Sequence, residues 1–128
     1  MSEITTNVNW TATLLGAAAA FALGWLWYSQ KLFGAKWAQG AGISLDDKTA
    51  PPAAAMLAQA IATFLLAWVV GVTAANEALL TMILIALTIA AMVISAGLFA
   101  RKSGQAIAIE TGYIVAMVAV MIICQAML

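Results

Sequence analysis

Residues 79–128 read LLTMILIALTIAAMVISAGLFA, then RKSGQ, then AIAIETGYIVAMVAVMIICQAML. Each apolar run, 79–100 and 106–128, is long enough to cross a bilayer as a helix, since the roughly 30 Å hydrocarbon core takes about 20 residues at 1.5 Å apiece. The five residues between them allow only a tight turn that sends the second run back beside the first. Strands are excluded, because strands facing lipid alternate in polarity and an open edge there leaves backbone groups unsatisfied.

Working outward, residues 53–73 (AAAMLAQAIATFLLAWVVGVT) form a further run, joined to the run at 79 through AANEA, and residues 10–28 (WTATLLGAAAAFALGWLWY) form the first. Within these four windows Glu110 is the one side chain that carries charge at neutral pH. The expectation is an all-α polytopic membrane protein. Residues 1–128 make one domain of four transmembrane helices in an antiparallel up-down bundle, with 29–52 as a loop holding an interfacial segment. Composition agrees: 66% hydrophobic and 8% charged residues lie far outside the ranges of water-soluble domains. The first run reads as a span and not as a secretory signal, because no basic residue precedes it and the rest of the chain is not soluble.

Charge sets the orientation. All five basic residues, Lys31, Lys36, Lys48, Arg101 and Lys102, fall in the loops 29–52 and 101–105. The positive-inside rule places those loops in the cytoplasm and both termini outside. Trp10 at one end of the first span, with Trp25, Trp27 and Tyr28 at the other, gives two aromatic belts about 25 Å apart. Phe33 and Trp37, interleaved with Lys31, Leu32 and Lys36, suit the lipid-water interface. Helix-end signals are expected at Asn76 (an N-cap, with Glu77 beside it), at Arg101 and Lys102 (cations after a C-terminus), at Gly104 (a stop) and at Pro51–Pro52 (a first turn).

Lipid supplies no hydrophobic push between helices, so small residues must let backbones approach. Gly16, Ala20 and Gly24 recur every four residues in the first span, and Gly112 and Ala116 do so in the fourth. Whether such a seam packs within one chain or between chains is left open by the sequence. A polar layer is expected near the cytoplasmic boundary from Gly24 and Tyr28 of the first span, Gln59 and Thr63 of the second, Ser95 of the third, and Glu110 and Tyr113 of the fourth, the last two three residues apart on one helix face. An intramembrane carboxylate is costly unless paired, hydrated or protonated. Glu110 therefore has two readings: structural, by snorkelling, pairing with Arg101 or Lys102, or bonding Gln59; or functional, as a proton, ion or substrate site. Asn9 and Gln125 read as helix-end groups, and Trp68 and the methionines of the last two spans as packing or lipid-facing residues.

The zero net charge suggests no nucleic-acid partner. Without histidine there is no imidazole metal site and no Ser-His-Asp triad; the lone Cys124 reads as a small hydrophobe, and Asp46 and Asp47 stand adjacent in a loop. No phosphate-binding loop occurs. Neither catalysis nor a cofactor is expected.

Asn9 and Trp10, then Gly24, Trp27, Tyr28, Ser29, Leu32, Phe33, Gly34 and Trp37, together with Glu110, Gly112 and Tyr113, carry a resemblance across the chain. The pattern is similar to that of a family of small bacterial four-helix membrane proteins catalogued as a domain of unknown function, number seventeen-sixty-one. The resemblance implies a multi-pass protein of the bacterial inner (cytoplasmic) membrane and draws interest to Trp27, Tyr28, Trp37, Glu110 and Tyr113; it implies no activity. Glu110 departs from the family pattern, which more often has aspartate there.

Two functional classes remain. One is a non-catalytic component, either a homo-oligomer or a subunit docked on other membrane proteins. The alternative is a minimal oligomeric transporter or channel using Glu110, in which that carboxylate would face a hydrated cavity shared between protomers.

Overall fold

The computed structural model describes residues 2–28, 34–41 and 53–128. After a 3₁₀ turn at Ser2–Ile4 come α1 (Trp10–Trp27), α2 (Gly34–Ala41), α3 (Ala53–Ala75), α4 (Leu79–Phe99) and α5 (Gly104–Met127). No strand occurs among the described residues. Four of these helices, α1, α3, α4 and α5, are long and apolar enough to cross a membrane. The expectations for Ser29, Lys31, Leu32, Phe33, Asp46, Asp47, Lys48, Pro51 and Pro52 lie outside the described residues.

Side-chain caps start two of the helices. Asn9 Oδ1 accepts from the Ala12 N–H at 3.0 Å and Ser103 Oγ from the Ala106 N–H at 3.1 Å, each satisfying a donor that has no partner inside its helix. The turns between long helices correct the sequence reading. Asn76 does not cap α4, whose N-cap is Ala78 without a side-chain bond, and Asn76, just past α3, instead donates back to the Val72 carbonyl of α3. Gly104 does not stop α4 but opens α5.

What ends α3 and α4 is the same device used twice. Glu77 has φ 53° and Arg101 φ 60°, both left-handed. Around Glu77, the N–H of Ala78 reaches the Thr73 carbonyl at 2.8 Å and that of Glu77 reaches Ala74 at 3.2 Å. Around Arg101, Lys102 reaches Gly97 at 3.0 Å and Arg101 reaches Leu98 at 3.1 Å. This pair of six-to-one and five-to-two bonds is the Schellman closure, here built without glycine.

The core gathers Ala20, Ala67, Val70, Met82, Tyr113, Met117, Val118 and Met121. Helix α5 is the hub, in contact with α1, α2, α3 and α4. Within the most apolar stretch of each helix, 33% of α5 is buried against 11% of α4. Close backbone approach makes this packing possible. A Cβ on Gly97 would stand 2.6 Å from Ile107, and Gly16 lies against Met121 and Cys124. Large apolar side chains such as Leu14, Leu57, Leu80, Phe99 and Val115 point outward on all four long helices, as a lipid solvent favours.

Candidate functional site

At the end of the bundle where α1 finishes and α5 begins, four elements meet around two side chains of α5, Glu110 and Tyr113. Glu110 follows the first turns of a helix whose N-terminus is held by Ser103, and its Oε2 accepts from Lys102 Nζ at 2.7 Å. The same oxygen accepts from the indole Nε1 of Trp37 on α2 at 2.8 Å. The Glu110 side chain is 16% exposed and that of Lys102 29%. A pair this well shielded has given up water, and the charge-assisted indole bond helps offset that desolvation.

Helix α2 is brought there by backbone as well as side chain. The Ser103 N–H donates to the Gly40 carbonyl at 3.0 Å, and a Cβ on Gly40 would collide with Ser103 Oγ and Ala106 Cβ, the latter at 2.7 Å. Only a residue without a side chain lets α2 lie this close.

Tyr113 turns away from Glu110. Its hydroxyl donates to the Ala20 carbonyl at 2.9 Å, and the Gln59 amide comes to the same hydroxyl from α3. Gln59 also donates to Thr63 one turn along at 3.2 Å. Aromatic rings close the space between the two polar centres. Tyr28 stands edge-on to Trp37 and to Tyr113, with centroids 5.2 and 5.5 Å apart, and Trp27 tilts over Tyr113 at 6.3 Å. The Trp27 indole donates to the Ile109 carbonyl at 2.9 Å, and Gly112 leaves the room its ring fills.

The expected polar layer is therefore divided. Glu110 binds Lys102 and Trp37; Gln59 meets the Tyr113 hydroxyl, which itself bonds Ala20; Ser95 joins neither. It is exposed in a shallow furrow of α4 with Ala91, Ile94, Leu98 and Phe99. The reason is rotational: Gly97 faces Ile107 of α5, and a residue two positions away on a helix points about 200° around from it. The small-residue positions Gly16, Ala20 and Gly24 face α5 of the same chain. Trp25 and Trp10 are both exposed, and the Trp10 ring tilts at 60° against Trp68 with centroids 5.4 Å apart. Trp68 donates to the Ile4 carbonyl at 2.7 Å, holding the N-terminal turn against α3.

The family described as a protein of unknown function, DUF1761, matches residues 11–125. The chain belongs to that family. No curated protein and no solved structure matches it. In this DUF1761 protein the Asn9 cap lies just before the matched stretch, and the Glu110–Tyr113 pair lies within it.

At the far end, sequence reasoning missed a second polar contact, in which Gln125 Nε2 donates to Thr13 Oγ1 at 3.1 Å. Gly71 of α3 makes the space, since its Cβ would sit 2.5 Å from that hydroxyl. The Trp37–Glu110 bond was equally hidden. Residues 73 apart in sequence share no local period, and only the pairing of Glu110 with Lys102 had a signal, the short turn that separates them.

Proposed function

We propose that this protein is a non-catalytic component of a bacterial inner membrane, acting as a homo-oligomer or as a subunit attached to other membrane proteins. Its four spans form an antiparallel bundle with both termini outside and α2 at the cytoplasmic surface. The orientation rests on Lys36, Arg101 and Lys102 lying at one end of the bundle, and on the short turns at Glu77 and Arg101.

The observation that carries the functional reading is the state of Glu110. Its Oε2 is held at 2.7 and 2.8 Å by Lys102 and Trp37 of the same chain. A carboxylate engaged in this way serves as a clasp between α2 and the start of α5. A transport carboxylate needs a hydrated, exchangeable partner. The lightly buried α4 offers the apolar face through which such a component would meet a neighbour.

Native mass spectrometry of the protein extracted from its own membrane without overexpression tests this. Recovery with other subunits, or as a closed oligomer inert to ions, is expected. Proton or ion flux in liposomes that Glu110→Gln abolishes would replace this reading with the transporter.

A further inference from the structure

The end of the bundle opposite Glu110 holds a cleft of about 390 Å³ between α3, α4 and α5. That volume falls within the range of small-molecule sites. Val70, Met82 and Ile122 wall it with apolar surface, while Glu77, Gln125 and Thr73 supply its polar side chains.

Each of those three polar groups can offer an acceptor, and Glu77 alone carries charge. Thr73 spends its hydroxyl proton on the Val69 and Val70 carbonyls, at 3.1 and 2.9 Å. Gln125 gives one of its two amide hydrogens to Thr13, and its carbonyl oxygen is engaged by no hydrogen bond among the described residues. Glu77 is a carboxylate, acceptor-only when ionised, and its left-handed turn position sets it at the edge of the cleft.

At the cleft itself the C-terminal ends of α3 and α5 meet the start of α4, while the start of α1 stands on the other side of Thr13 and Gln125, so the helix ends are balanced and the charge of the mouth comes from Glu77. Among the described residues the cations Lys36, Arg101 and Lys102 all sit at the other end of the molecule, so none of them neutralises Glu77. Apolar walls below an acceptor-lined, negatively charged mouth match one class of ligand: a positively charged nitrogen or phosphorus head bearing an apolar body.

We propose that the cleft between α3, α4 and α5 binds an amphipathic cation, its head against Glu77 and the Gln125 carbonyl and its apolar part against Val70, Met82 and Ile122. This goes beyond the clasp at Glu110 and stands whether or not that reading survives. The cation could come from the amine headgroup of a membrane lipid or from a free lipophilic compound.

The test uses the full-length protein in dodecyl maltoside, with two variants: Glu77→Gln, which removes the charge at an exposed turn, and Ala126→Trp, which fills the cleft. Native mass spectrometry reads retained phosphatidylethanolamine against phosphatidylglycerol. Equilibrium dialysis reads saturable uptake of tetraphenylphosphonium. Selective retention of phosphatidylethanolamine that falls at least tenfold in both variants supports the proposal with lipid as the source. Saturable tetraphenylphosphonium uptake with the same loss supports it with a free compound as the source. Binding that Glu77→Gln leaves unchanged, or binding of neither probe, overturns it.

Discussion

The Tyr113 hydroxyl, bonded to the Ala20 carbonyl at 2.9 Å, occupies the space that a side chain on Gly24 would need: a Cβ there would lie 2.6 Å from the phenol oxygen. One missing methyl group thus permits a hydrogen bond between helices 93 residues apart in sequence. Gly24→Ala must push the phenol aside, and the net destabilisation is about 1–2 kcal/mol even after alanine's better helix propensity is counted. Tyr113→Phe removes the same bond, so the double variant is less destabilised than the sum of the two. Gly104→Ala, with nothing within 4 Å of its Cβ, leaves stability unchanged or slightly higher. Unfolding by a denaturing detergent in mixed micelles measures all four.

Glu110→Ala deletes the acceptor shared by Lys102 and Trp37, and Glu110→Gln keeps an oxygen for the indole while losing the ion pair. Charge-assisted bonds of this kind contribute about 1.5–3 kcal/mol. Hydrogen exchange across residues 34–41 should accelerate about tenfold or more in the alanine variant and less in the glutamine variant, while residues 74–78 stay as they were. Equal acceleration at both places would mean that the carboxylate supports the whole bundle and not α2 in particular.

Arg101 ends α4 in a left-handed conformation at φ 60°. For a residue with a Cβ that conformation costs roughly 1 kcal/mol, which glycine does not incur. Arg101→Gly should therefore raise resistance to unfolding by about that amount, an uncommon sign for a substitution to glycine. A fall in stability would show that the arginine side chain holds a contact outweighing the backbone strain.

The Thr111 hydroxyl is buried and has no hydrogen-bond partner among the described residues. Replacing it with the near-isosteric valine removes an unsatisfied polar atom, so Thr111→Val should be neutral or stabilising by up to about 1 kcal/mol. The same denaturing-detergent titration applies, and a loss of stability would reveal that the hydroxyl is engaged with a neighbour after all.

Much of this fold was legible because lipid imposes a length. Residues 79–99 and 104–127 could be read as helices from their apolar runs alone, within two residues at each end. The turns were not legible, since the usual mark of a Schellman closure is glycine and here Glu77 and Arg101 take that place, while Gly104 stands three residues too late. Rotation about each helix axis was equally hidden: α4 is apolar nearly all round, so nothing in its pattern distinguished Gly97, which faces α5, from Ser95, which faces out. The pairing of Glu110 with Lys102 was among the alternatives open to a reader of the sequence. The arrival of Trp37 was not, because α2 docks through the bare backbone of Gly40 against a helix more than sixty positions further along.

That α5 touches every other helix has a consequence for how the protein is made. A ribosome delivers the segments in chain order, so the apolar helices α1, α3 and α4, and α2 with them, are made before the piece they are organised around exists. Until it arrives, the Trp27 and Trp37 indoles lack Ile109 and Glu110, the Gly40 carbonyl lacks Ser103, and Thr13 lacks Gln125. Biogenesis must therefore tolerate an interval of loosely associated spans, and the insertion of the final segment is the step that converts them into a folded molecule.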